Sequence, residues 1–400
     1  MKILYYSPHP ELSTEASTGY GTHMREMVAA FRKKGCEVKT LVAGDMKLRR
    51  KQSKAVAKSG TKGIRGRLRA FKSWIPGLLW ESLRDLWRMR FDRNMEAALA
   101  AAISDFEPDL VYERVAYLQN SGVEVSKRRG IQHVAEINAP YPEERAYFSG
   151  RSLLVGAARN SLRQIVIETN LIVSVSTALA AYLDEMAEGV KEKTLVLPNA
   201  IRHTEVVHTA DQLEQLREEL SLGDSLILGF VGSIFPYHGV DLLIEAFAKL
   251  PKAPRSKLLI VGDGASLPEL KALALRLGVH GDVVFTGGVP HREVYLYIEL
   301  MDICCMAKSN WYGSPVKIFE YGLLKKVVIA PDIAPLRDVL DEETALLVEP
   351  EAEAISDAMR SLLGDESLRL KLAEAWHRKV LMEHTWEQSA QKVLERCASL

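Results

Sequence analysis

Residues 302–330 pass from one short apolar run to another through a single stretch of helical pattern, and few folds accommodate that. Residues 302–306 and 327–330 read as buried strands, and Ile318, Phe319, Gly322 and Leu323 fall between them at helical spacing. Strand, helix and strand in series make a parallel pair joined by a crossover, the repeating unit of an α/β sheet. Ser314 stands where a side-chain oxygen can cap the helix, and Pro315 where a missing N–H costs nothing. The free N–H groups and the dipole of a helix opening this way attract an anion. Lys317 adds a formal charge one turn in, and Glu320 adds a carboxylate that could hold sugar hydroxyls. An ordinary βα unit with a surface lysine and glutamate would carry the same residues.

The same alternation runs through the rest of the chain. A strand is expected over 3–6 and a polar loop over 7–18. Gly19, Tyr20 and Gly21 then precede a helix from about residue 22 to 34, with Met24, Met27, Val28 and Phe31 on its apolar face. Glycines before a helix allow a backbone to approach a phosphate, although the G-x-G-x-x-G spacing is absent and such glycines also serve plain turns. An Ala-rich helix is expected over 96–104, and strands over 38–42, 110–112, 133–137, 171–175 and 195–197. Glu113 and Arg114 lie at one strand end, Glu136 and Asn138 at the next, where the ligand crevice of a doubly wound sheet opens. An Arg114–Glu136 pair is the structural alternative, and Glu143, Glu144 and Arg145 follow along the same edge. The polar span 202–210 reads as a linker. Beyond it, strands over 226–231, 258–261 and 283–286 end in the glycine-bearing loops 232–239, 262–264 and 287–290.

At 400 residues the chain is long enough for two domains, and its 47% apolar and 26% charged content is that of a soluble globular protein. No run of apolar residues is long enough for a membrane-spanning helix, and the first residues enter a strand without a signal-peptide core. Cys36, Cys304, Cys305 and Cys397 lack metal-ligand spacing and read as free thiols of a reduced, cytoplasmic protein. The net charge of zero conceals an asymmetry: residues 47–72 hold eleven Lys or Arg and no acid. Extending to Arg93 gives fifteen bases against three acids, interleaved with Phe71, Trp74, Trp80, Trp87 and Phe91. Bases among tryptophans suit an anionic membrane surface. No nucleic-acid-binding signature accompanies them, and a solvated basic loop followed by a helix with a buried aromatic face is the plainer alternative.

The motifs, taken in order, resemble the retaining nucleotide-sugar glycosyltransferases of family 4 over almost the whole chain. The resemblance rests on the Gly19-Tyr20-Gly21 turn, Val173-Ser174-Val175-Ser176, Pro198-Asn199, the Gly232 to Gly239 loop with LLIEAF after it, Val261-Gly262-Asp263-Gly264, Phe285-Thr286-Gly287-Gly288-Val289, and Ser314 to Tyr321. It implies the α/β GT-B fold, two facing doubly wound Rossmann-like domains with a cleft between them. The acceptor-side domain would be 1–202 with a crossing helix at about 384–400, and the nucleotide-sugar domain 203–383. It further implies that Glu320 binds the ribose hydroxyls, that the Gly19 backbone meets the diphosphate, and that the backbone around Val289 recognises the base.

Departures are expected to matter. Tyr312 stands where the family has the first glutamate of E-(seven residues)-E, Ser233 and His238 stand where it has an Arg and a Lys for the diphosphate, and Asn138 lies near the place of a histidine. G-S-x-x-P-x-H-G, S-P-x-K and E-x-N-A-P read together as a subgroup pattern. Lys317, Arg114 or a protonated His238 would then supply the phosphate charge, with Ser314 beside them. The implied activity is retaining transfer from a UDP- or GDP-sugar to a glycan or polyprenyl-linked acceptor in cell-surface glycan synthesis. The step is front-face attack aided by Asn138, Arg114 and Lys317, with no cofactor or metal implied. The protein would sit in the cytoplasm or on the inner face of the membrane. An epimerase or hydrolase on the same fold, or a degenerate nucleotide-sugar-binding scaffold, are the alternatives.

Overall fold

Short apolar runs buried on both faces can only be strands covered by helices on each side, and the structure arranges them so. The computed structural model describes residues 1–16, 19–48, 76–202, 208–251 and 255–400. The most basic part of the 47–93 segment, with Phe71 and Trp74, and most of the expected linker lie outside the described residues. By its contacts the chain divides into two units, Met1–Leu197 with Glu387–Leu400, and Pro198–Trp386.

The first unit holds one parallel sheet of β1 (Lys2–Ser7), β2 (Glu37–Val42), β3 (Leu110–Arg114), β4 (Gln132–Ile137), β5 (Leu171–Ser174) and β6 (Thr194–Val196), in the order β2-β1-β3-β4-β5-β6. The β3–β4 register sets Arg114 opposite Glu136. The helix expected from residue 22 begins at Gly19 instead. The glycine that its start requires is Gly21, where a Cβ would lie 2.2 Å from the Ala16 carbonyl oxygen; Gly19 has open space.

The helix expected over 96–104 is one third of the observed Gly77–Phe106. The reason is an inversion of its buried face. Its second half buries Met95, Leu99 and Ile103, whereas its first half buries Ser82 and Asp85 and exposes Leu79, Leu83, Leu86 and Trp87. A helix whose apolar stripe changes sides has no single 3.6-residue signal. At the chain's end, the helices Glu366–Glu383 and Trp386–Ala398 are separated at His384 and Thr385, where Thr385 bridges Ile201. Within the first unit, Gln132 Nε2 donates to the Cys397 carbonyl at 3.0 Å and Lys33 pairs with Glu387.

The second unit holds β7 (Leu226–Val231), β8 (Ser256–Val261), β9 (Val283–Gly287), β10 (Ile303–Cys305), β11 (Val327–Pro331) and β12 (Leu346–Val348), all parallel, in the order β12-β11-β10-β7-β8-β9. The chain starts at β7, winds outward to β9, then returns to β10 on β7's other side. The loops after β7 and β10 therefore flank the point where strand order reverses, which is where open α/β sheets bind ligands. All four cysteines are free and buried.

Candidate functional site

At the reversal point of the second sheet the β7 and β10 loops are joined by Lys308 N, which donates to the His238 carbonyl at 3.2 Å. The neighbouring β8 loop comes equally close: a Cβ on Gly262, whose φ is +148°, would lie 1.9 Å from the Gly232 carbonyl oxygen. Only glycine permits that approach.

Into this crowded backbone the helix Val316–Leu323 sends Lys317. The side chain is buried, its Nζ stands 4.0 Å from the centroid of the Phe230 ring, and a Cβ on Gly232 would lie 2.6 Å from it. The ring face supplies some attraction for a cation. Nζ has no hydrogen-bond partner among the described residues. Burial pushes the ammonium down to about 7, against the opposing pull of Glu320. A buried cation lacking an acceptor is costly, and an incoming anion relieves that cost. Glu320, one turn further along, is also buried.

One expectation about this site is corrected. Ser314 does not cap the helix: its Oγ accepts from Asn199 N at 2.9 Å and its carbonyl accepts from Asn199 Nδ2, leaving Pro315 at the cap with no side-chain bond. The Pro198-Asn199 segment has taken the oxygen. His238 is disfavoured as a cation before an anion arrives. Its Nδ1 donates to the Ser233 carbonyl at 2.6 Å, since a carbonyl only accepts. Burial, and then Lys317, push the imidazole down to about 4. The Ser233 side chain is exposed, Val289 follows β9 half-buried, and Tyr312 is buried with its ring edge-on to Trp311 at 5.4 Å.

The helix bearing Lys317 and Glu320 is held from behind. Tyr321 Oη accepts from Val231 N at 3.0 Å, Trp376 Nε1 donates to the Ile318 carbonyl at 2.9 Å, and a Cβ on Gly322 would meet that indole nitrogen at 2.5 Å.

The first unit gathers Arg114, Glu136 and Asn138 at its strand ends, with one residue the sequence did not single out. Glu136 Oε1 accepts from Arg114 Nη1, from Asn138 Nδ2 at 2.7 Å, and lies 3.0 Å from His23 Nε2. Burial alone would raise this carboxyl, but His23 and Arg114 hold it below the usual carboxylate range. His23 sits on the same buried helix face as Met24 and Met27, and a histidine among apolar neighbours was the available signal. Phe230 and Trp376 gave none, since each reads as core.

Other acids and bases at this edge prove to be internal. Glu113 turns to the opposite face of the sheet, where it is fully buried 3.0 Å from His133 Nε2 and directly beneath Gly122. Arg145 pairs with Glu81 at 2.5 Å, and Glu143 accepts from Tyr182 Oη at 2.6 Å and from Arg159. These two side chains join helices to one another.

Known proteins resemble the chain across this whole arrangement. Residues 17–205 match the family model "Glycosyltransferase Family 4" and residues 211–379 match "Glycosyl transferases group 1". A GDP-mannose-dependent alpha-(1-6)-phosphatidylinositol monomannoside mannosyltransferase of Mycolicibacterium smegmatis is 26% identical over 60% of this chain and 65% of its own length. An alpha-D-kanosaminyltransferase of Streptomyces kanamyceticus is 29% identical over 40% of this chain and 42% of its own length. The aligned regions thus span about two fifths to two thirds of these relatives. Among solved structures, Anabaena HepE in complex with UDP-glucose superposes with a TM-score of 0.70 at 18% identity, covering 100% of both chains. The sucrose-phosphate synthase of Thermosynechococcus elongatus gives 0.69 at 18% identity, covering 100% of this chain and 98% of that one. With one family model matched in each half and the two-domain α/β GT-B fold shared with these structures, the chain belongs to the glycosyltransferase family.

Proposed function

We propose that the protein is a retaining glycosyltransferase that moves a sugar from a nucleoside-diphosphate donor to a glycan or lipid-linked acceptor. The observation that carries this is Lys317: a buried ammonium without an anion, at the strand-order reversal, one turn before a buried glutamate. HepE was solved with UDP and with UDP-glucose, which supports a nucleotide-sugar donor here.

Cleaving the bond between the anomeric carbon and the diphosphate leaves its electron pair on the phosphate oxygen while the carbon gains oxocarbenium character. Lys317, placed before the reaction starts, stabilises that developing charge. The acceptor hydroxyl attacks from the face the phosphate leaves, and its proton passes to a phosphate oxygen. Configuration is therefore retained, and Glu320 holds the ribose hydroxyls. Asn138 serves the acceptor side in the first unit.

The acceptor reading rests on the helix Gly77–Phe106, whose exposed Leu79, Leu83, Leu86 and Trp87 follow the basic segment 47–72. Apolar residues beside clustered bases suit an anionic bilayer, which supports a peripheral protein acting on a polyprenyl- or lipid-linked glycan. No helix among the described residues is long and apolar enough to cross a membrane.

Incubation with labelled UDP- and GDP-sugars, with and without lipid extracts, tests the reading. Lipid-dependent transfer with retained configuration supports it. Sugar release or inversion without acceptor would make the protein a hydrolase or epimerase, and binding without turnover a scaffold.

A further inference from the structure

Two large aromatic rings at the reversal point are left open to solvent. Phe235, on the β7 loop, is 44% exposed, and Trp311, on the β10 loop, is 49% exposed. Core packing does not account for rings in such positions, and the loops that carry them are the ones Lys308 and His238 tie together.

Phe235 is connected to the cation. Lys317 Nζ stands over Phe230, whose ring lies 5.7 Å from that of His238. Tyr237 packs 4.4 Å from His238, and Phe235 lies parallel to Tyr237 at 5.6 Å. A row of rings thus leads from the buried ammonium to the exposed face of Phe235. On the other loop, Tyr312 is buried and meets the exposed Trp311 edge-on, so its ring supports the tryptophan from within.

We propose that Phe235 and Trp311 are specificity-determining residues that stack on the glycosyl ring of the donor. The inference rests on the nucleotide-sugar reading and adds to it how the sugar is recognised. A pyranose presents its axial C–H bonds on a face that is apolar and slightly positive, which suits the negative face of an aromatic ring. The occupant follows from what is joined to what. In a nucleotide sugar the glycosyl ring is bonded to the terminal phosphate, whereas the base is separated from it by a ribose and a second phosphate. Phe235 is reached from the phosphate cation through Phe230 and then His238, whose ring lies 6.3 Å from its own, and Trp311 stands on the loop that Lys308 ties to His238, so the sugar rather than the base is the nearer part of the donor. A donor sugar with one uninterrupted C–H face is favoured, because an axial hydroxyl on that face would be desolvated without a partner.

Calorimetric titration of the full chain with UDP-glucose and UDP, and with GDP-mannose and GDP, tests this. Phe235→Ala and Trp311→Ala are expected to weaken the preferred sugar nucleotide about tenfold while leaving the parent nucleotide within about twofold. Lys317→Ala should weaken both. The Trp311 fluorescence should change with the sugar nucleotide and not with the nucleotide alone. Both aromatics are exposed, so unchanged melting temperatures are expected of these variants. Equal loss for nucleotide and sugar nucleotide, or no loss for either, would overturn the stacking role while leaving the donor reading intact. Failure of the unaltered protein to bind any of the four ligands would overturn both.

Discussion

Arg114, largely buried at the end of β3, and Lys317, buried on the helix that follows β10, are both cations on the C-terminal side of a parallel sheet, and they differ in what surrounds the charge. Arg114 is opposed in register by Glu136, which also draws His23 and Asn138 to the same oxygen. Lys317 has an aromatic face, a neutral histidine and close-packed glycine backbone, but no acceptor within hydrogen-bond distance among the described residues. The first arrangement is complete without a ligand. The second leaves its ammonium without an acceptor among the described residues. Of two cations similar in charge and position, one is satisfied by Glu136, and the other is the one proposed above to meet a phosphate.

Removing each cation should therefore produce opposite results. Lys317→Met is expected to weaken donor binding about a hundredfold, from the loss of a charge-assisted contact in a site shielded from water. The same change should raise the melting temperature, because it replaces a poorly solvated amine by a side chain of similar length. Arg114→Met should leave donor affinity nearly unchanged but cost about 3 kcal/mol of stability, the lower end for breaking a buried pair, since His23 and Asn138 still face Glu136. Titration calorimetry and thermal unfolding of the two variants read both quantities. If Arg114→Met instead lost donor affinity at constant stability, Arg114 would return to the phosphate-binding set.

Much of this contrast was legible in the sequence, but not the part that separates the two residues. The βαβ units, the strand ends carrying Arg114, Glu136 and Asn138, and the turn before Lys317 all follow from apolar periodicity and punctuation by Gly and Pro. An Arg114–Glu136 pair could even be anticipated. Whether Glu113 or Arg114 faces the ligand edge could not, because adjacent strand residues point to opposite sides and one slip in the assumed start reverses them. The capping role expected of Ser314 fails for a related reason. Its rival partner, Asn199, is more than a hundred residues away, and no local pattern announces that Asn199 N and Nδ2 both need acceptors there. The first half of Gly77–Phe106 is open to a helix that buries its aromatic face, but its Leu83, Leu86 and Trp87 turn outward instead, because helical periodicity does not say which side meets the core.

A pH series sharpens the contrast further. Lys317 is pushed down to about 7 in the folded protein from 10.5, so between those values the unfolded chain binds more protons. Its contribution to stability consequently improves as pH rises from about 7 to 10.5, and its penalty is complete and levels off once pH falls below about 7. Donor binding should run the other way. A diphosphate favours the ammonium, so above pH 7 binding requires proton uptake, and the donor Kd should rise by up to about tenfold per pH unit. Arg at position 317 stays charged, and Lys317→Arg should flatten the slope even where it weakens binding. A slope unchanged in Lys317→Arg would place the titrating group elsewhere.

The smallest expected effect concerns how the unpaired cation is held in place. Arg114 is oriented by its own partner, whereas Lys317 depends on its helix, and that helix depends on Trp376 through the bond from Nε1 to the Ile318 carbonyl. Trp376→Phe keeps an aromatic ring in the buried site but removes the donor, leaving one helix carbonyl short of a partner. The cost should be about 1 kcal/mol of stability for the bond, with some added loss from the smaller ring. A merely structural role would lower the melting temperature and leave kinetics at low temperature unaltered. If Trp376 positions Lys317, donor KM should also rise about threefold, a 0.6 kcal/mol effect, at temperatures where the variant is fully folded. Trp376→His, which retains a ring N–H, should recover more of the KM than Trp376→Phe, whatever it does to the melting temperature.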